Sequence, residues 1–171
     1  MPEDLAEVAD IVGERFKTES TSGLATVRLV SNDKQVVVTF DVRDAQDGEM
    51  FDMREPEAEG RQEEGDEGSS LPFKVEINKG AKGILRFHCT ATEIVAIDAV
   101  DYLANGDVDD SVAYTGPQFE ELDPELQEAF HEYLADAGVD DSVASYVAMY
   151  ADFKEQQEYT NWLSKVHAFT K

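Results

Sequence analysis

Thirty-eight carboxylates, three histidines and one cysteine are the residues of this 171-residue chain with obvious chemical potential. Nucleophilic or metal chemistry would need His88, His131 and His167 to converge with Cys89 or with carboxylates, and nothing in their spacing indicates that. His88 and Cys89 are neighbours in an alternating segment, which sends them to opposite faces of a strand and disfavours a catalytic pair between them. Cys89 reads as a small core hydrophobe, and His131 and His167 as solvated helix positions. No G-x-G-x-x-G, P-loop, G-x-S-x-G or H-E-x-x-H pattern occurs. Asp107, Asp109 and Asp110 invite a calcium test. A register from Asp107 puts Val112 at the sixth position and Gln118 at the twelfth, where an EF-hand needs Gly and Glu. No catalytic residue, cofactor site or metal site is assigned, and the chain reads as non-enzymatic.

What remains for the carboxylates is their charge. Against 38 acidic residues stand 14 basic ones, a net charge of −24. The densest stretch is 44–68, where Asp44, Asp47, Glu49, Asp52, Glu55, Glu57, Glu59, Glu63, Glu64, Asp66 and Glu67 face only Arg54 and Arg61. With four glycines and Pro56, this stretch cannot bury enough apolar surface to offset the entropy of ordering, so it reads as a mobile acidic loop. Its eleven carboxylates are the candidate partner-binding residues. The loop holds only 9 of the 24 net negative charges, so the folded surface is acidic as well. Solubility of a small domain asks for a net magnitude of only about 2–8. The excess favours basic proteins as partners. It disfavours direct nucleic-acid binding, which needs lysine and arginine on phosphates, and anionic membrane surfaces likewise. A divalent-cation buffer using the same carboxylates is the rival reading.

Around these charges the chain must build a scaffold, and 42% apolar residues suffice for one core. Residues 1–171 read as a single domain. Leu5, Val8, Ala9, Val12 and Phe16 recur at helical spacing, and the Ser/Thr-rich stretch Thr18–Gly23 ends that helix. Leu24–Val30 and the alternating Lys34–Val42 read as a hairpin closed at Ser31-Asn32-Asp33. Beyond the acidic stretch, Phe73/Val75/Ile77 and Leu85/Phe87/Cys89 alternate about a turn at Asn78–Gly83, and Glu93–Val100 is a further strand. One or two short strands are expected within Asp101–Tyr114. Asp123 and Pro124 then start a helix whose apolar positions run from Leu126 to Ala137, with Gly138 as its stop. A last helix, about Ser142 to Phe169, carries two apolar stripes. Val143, Val147 and Tyr150 form the first; Tyr159, Trp162, Leu163, Val166 and Phe169 form the second, for helix packing or subunit contacts. The class is α+β.

One cysteine excludes an intrachain disulfide, and there is no N-x-S/T sequon. No run approaches the ~20 apolar residues of a membrane span. Met1-Pro2-Glu3-Asp4 lacks both a signal core and an Arg-rich transit pattern.

Several blocks resemble the mitochondrial acidic matrix proteins, also called the mitochondrial glycoprotein family. They are Tyr114-Thr115-Gly116-Pro117, Leu122–Gln127, Phe130-His131-Glu132-Tyr133-Leu134, Gly138-Val139-Asp140, and Lys154-Glu155-Gln156-Gln157-Glu158-Tyr159-x-x-Trp162-Leu163. Val36–Val42 before an acidic loop, and Leu85-x-Phe87-x-Cys89, match as well. The resemblance implies an N-terminal helix, a twisted antiparallel sheet of about seven strands and two C-terminal helices. It also implies packing of the terminal helices on each other and a ring-shaped homotrimer with one strongly acidic face. It further implies a mitochondrial-matrix adaptor or chaperone for basic RNA-binding or ribosomal proteins, acting in RNA processing, including editing, or translation.

Overall fold

The computed structural model describes residues 1–45, 70–104, 114 and 116–171. Helix α1 (Glu3–Gly13) buries Leu5 and Val12 on one stripe. Phe16 is not part of that stripe. It opens β1 (Phe16–Ser20), an edge strand in the stretch expected only to terminate the helix. Four of its five side chains are wholly or partly exposed, so the apolar pattern that would announce a strand is missing. Pairing with β2 (Thr26–Ser31) creates it, from Phe16 opposite Ser31 to Ser20 opposite Val27.

The sheet continues through β3 (Val36–Asp41), β4 (Leu71–Asn78), β5 (Ile84–Ala91) and β6 (Val95–Leu103). All neighbours are antiparallel and follow chain order. The described residues give six strands, not about seven. Asp101–Leu103 prolong β6 instead of starting a new strand, and residues 105–113 lie outside the description. Ile94, expected within that strand, lies just before it and is exposed. One sheet face is apolar: Val27, Leu29, Val38, Phe40, Phe73, Val75, Phe87 and Cys89 are all buried. Between β4 and β5, Gly83 adopts φ +90, and a Cβ there would stand 2.5 Å from the Leu103 carbonyl, so glycine is required at this crossing.

The expected stop and start signals of the last third all operate. The Asp123 carboxylate accepts from the Glu125 N–H ahead of α2 (Pro124–Asp136), with proline in the first turn. Gly138 adopts φ +89, its N–H reaches the Ala135 carbonyl at 2.9 Å, and the Val139 N–H reaches Leu134, also at 2.9 Å, which is a Schellman closure. Leu126, at the head of the anticipated stripe, is exposed; Leu134 is the buried residue of this helix.

Asp140 caps α3 (Asp141–Thr170) through the Ser142 N–H. Thirty residues make this helix about 45 Å long. Its first half buries Val143, Ala144, Tyr146, Val147 and Ala151 against the sheet and α1. The terminal helices therefore pack on each other, but through the first stripe only. From Tyr159 onward every residue is exposed, and Trp162 is 57% exposed, so the second stripe is uncovered within one chain. No helix among the described residues is long and apolar enough to cross a membrane.

Candidate partner-binding surface

Of the acidic-loop residues, Asp44 alone is described. It sits half-buried in the 3-10 turn Val42–Ala45 that follows β3. Asp47, Glu49, Asp52, Glu55, Glu57, Glu59, Glu63, Glu64, Asp66 and Glu67 lie outside the described residues.

The described residues carry acidic surfaces of their own. On α1, Glu3, Glu7, Asp10 and Glu14 are exposed at spacings that put them on one face, with Glu14 as the C-cap. On α2, Glu125, Glu128, Glu132 and Asp136 repeat the arrangement. Like charges at i,i+4 cost a helix roughly 0.2–0.5 kcal/mol per pair. Neither helix has a basic residue in its last turn, where the macrodipole would favour one. Beyond the first turn, where Glu3 and Glu125 suit the macrodipole, the two stripes run against helix stability. The spacing of three and four residues between these carboxylates marks both faces in the sequence itself.

The sheet face opposite the helices carries paired charges. Arg86 Nη2 lies 2.9 Å from Glu76 Oε1. His88 Nε2 lies 2.7 Å from Oδ2 of Asp101, whose other oxygen is buried and has no hydrogen-bond partner among the described residues. Asp101 is 4% exposed although it is a charged residue in the strand, so its burial is not legible from the sequence pattern. Cys89 points to the opposite, apolar face, as alternation required, at a β-bulge between the two residues. Burial, and secondarily the charge of Asp98, pushes the Cys89 thiol up to about 12, which removes it from nucleophilic chemistry at neutral pH. Among the described residues no three His, Cys, Asp or Glu side chains stand close enough to hold a metal ion.

The Lys154–Glu158 block is architectural. Lys154, buried between the two stripes of α3, donates to the Thr21 carbonyl at 3.0 Å and to Glu158 Oε1 at 2.8 Å. Glu158 Oε2 in turn accepts from the Gly23 N–H at 2.9 Å. These bonds pin the β1–β2 connection to the helix where the exposed stripe begins. Beyond that point Tyr159 and Trp162 stack with ring centroids 6.2 Å apart, and Leu163, Val166 and Phe169 extend the stripe. Five large apolar side chains on one exposed helical face mark a contact surface.

A model of the mitochondrial glycoprotein family matches residues 2–170. The mitochondrial acidic protein mam33 of Schizosaccharomyces pombe is 33% identical over 184 residues, covering 96% of this chain and 68% of that protein. An uncharacterized mitochondrial protein of Arabidopsis thaliana is 35% identical over 103 residues, which are 59% of this chain and 41% of that one. Among solved structures, a hypothetical Leishmania major protein described as a homologue of human p32 matches with TM-score 0.69 and 17% identity, over 98% of this chain and 99% of its own. The Trypanosoma brucei p22 protein matches with TM-score 0.68 and 18% identity, over 99% and 96% of the two chains. At these identities the structural likeness is one of fold.

Proposed function

The chain belongs to the mitochondrial glycoprotein family, and from that premise we propose that it is a non-enzymatic acidic adaptor or chaperone for basic proteins. The family and both relatives are mitochondrial by name, and the resemblance assigns this chain to the mitochondrion; the matrix is the compartment we propose. The partners we infer are basic RNA-binding or ribosomal proteins, engaged during RNA processing, including editing, or translation. The observation that carries the reading is the exposed negative charge: −24 overall, with two helices giving one face each to carboxylates. Partner binding then combines long-range steering with many exposed ion pairs, each worth about 0–1 kcal/mol.

The uncovered stripe of α3 supports assembly, and the state we propose is a homotrimer. Three copies would multiply weak contacts into useful affinity without any single deep site. Sedimentation equilibrium at moderate salt tests the assembly: a species of about 57 kDa supports it and a stable 19.0 kDa monomer overturns it. Titration of a lysine/arginine-rich protein segment at several salt concentrations tests the adaptor role. Affinity falling by orders of magnitude between 0.1 M and 1 M salt supports it, because the Debye length shrinks from about 10 Å to about 3 Å; absence of binding at low salt overturns it.

A further inference from the structure

The two carboxylate stripes end at one place. Glu14 closes the stripe of α1 and Asp136 that of α2, and both line an open cleft of about 630 Å³ that also takes in the β2–β3 turn with Asp33. Glu14 and Asp136 make no side-chain hydrogen bond or ion pair among the described residues, while Asp33 is held by the Ser31 hydroxyl and the Gln35 N–H. Hydrogen bonding from Ser31 first, and from Gln35 next, holds the Asp33 carboxyl below its usual range, so it is charged at neutral pH. The cleft's cations are already committed. Arg15 is turned to Asp140, Ser142 and the Gly138 carbonyl. Lys79 lies with its ammonium 5.1 Å from the centroid of the Tyr133 ring. Tyr133 therefore presents a face that accepts a cation, occupied by the chain's own lysine, in a cleft that Glu14, Asp33 and Asp136 also line.

We propose that this cleft is a seat for an arginine side chain of the basic partner, stacked on Tyr133 in place of Lys79 and reached by the carboxylates of Glu14, Asp33 and Asp136. Arginine fits better than lysine for two reasons. Its planar guanidinium stacks on an aromatic face, and its fork of donors can address more than one carboxylate at once. An ammonium gives a point charge that Lys79 already supplies. The proposal rests on the adaptor reading and adds to it a chemical preference that diffuse electrostatics alone does not generate, because equally charged arginine and lysine segments feel the same long-range field.

The test uses the intact protein and two fluorescent dodecapeptides of equal charge, one alternating arginine with serine, the other lysine with serine. The arginine peptide should bind several times more tightly. Glu14→Gln/Asp136→Asn should bring the two affinities together, whereas Glu7→Gln/Asp10→Asn, an equal loss of charge outside the cleft, should weaken both and keep their ratio. Lys79→Ala should raise arginine-peptide affinity more than Lys82→Ala does. Thermal melts identify any variant that has lost its fold, and the ratio in the wild-type protein does not depend on the variants. Equal binding of both peptides by the wild-type protein overturns the arginine seat and leaves the adaptor reading standing. A preference that survives Glu14→Gln/Asp136→Asn also overturns the seat. Binding of neither peptide removes the adaptor reading itself.

Discussion

The guanidinium of Arg15 meets the carboxylate of Asp140, 125 residues further along the chain, at 2.7 Å. One side chain thereby ties the α1–β1 corner to the α2–α3 corner. Nη1 also reaches the Gly138 carbonyl at 2.9 Å and Nη2 the Ser142 hydroxyl at 2.6 Å. Arg15→Ala removes the guanidinium donor from that carbonyl and that carboxylate, leaving Asp140 only its bonds from Ser142. It should lower stability by about 1–2 kcal/mol, above the usual range for an exposed surface pair, because the contact is forked and partly buried. Chemical denaturation with an unchanged m-value is the check.

Acid should weaken the same corner. Burial pushes the Asp140 carboxyl up, but hydrogen bonds from Arg15 and Ser142 and the Arg15 charge outweigh it and leave the group below its usual range. A carboxyl depressed on folding contributes stability above the unfolded value near pH 3.9, and loses it as pH falls through the lower folded value. Asp140→Asn should therefore flatten the acid limb of the stability curve below about pH 4. An unchanged limb would show that other carboxylates govern it.

Two aromatic truncations should separate the core from the contact surface. Phe87 is fully buried and packs against Phe130 and Tyr133, so Phe87→Ala should cost on the order of 3–5 kcal/mol at any protein concentration. Trp162 is 57% exposed within its own chain. Trp162→Ala should leave the dilute chain's stability nearly unchanged and shift the assembly equilibrium toward smaller species, read by sedimentation at several concentrations. A large loss in dilute protein would show Trp162 to be part of the single-chain core.

Cys89 should resist a water-soluble thiol reagent at neutral pH in the folded protein and react at once in denaturant. It is buried and its thiol stays protonated. Rapid native-state labelling would show that the β5 region opens far more readily than its packing suggests.

Charge neutralisation should be graded. Glu57→Gln alone should reduce partner affinity by less than about 1 kcal/mol. Replacing Glu55, Glu57, Glu59, Glu63, Glu64, Asp66 and Glu67 together should reduce it far more. Loss of binding from one substitution would reveal a shaped pocket in that stretch.

Much of the scaffold was legible because its signals are local. Alternation at Val36–Phe40 and Phe73–Ile77, the Asp123-Pro124 start and the Gly138 stop each follow from a residue's own backbone and burial preferences. The misses share a cause. In β1, four of five residues are wholly or partly exposed, and only pairing with β2 makes that segment a strand. Phe16 fits the helical stripe by spacing, yet the helix ends at Gly13 and its ring is buried as part of the sheet. Trp162 carries no local mark that distinguishes a core residue from one awaiting a second surface.

By itself the sequence determined the α+β element order, the apolar sheet face and an excess of negative charge, because side-chain periodicity and net charge are properties of the chain. Only the tertiary structure decided which charges stand together. It brought Glu14, Asp33 and Asp136 to one cleft, bound Arg15 to Asp140, and buried Lys154 beneath the Thr21 carbonyl. Those relationships span elements far apart along the chain. Packing sets their distances, and no local preference encodes them.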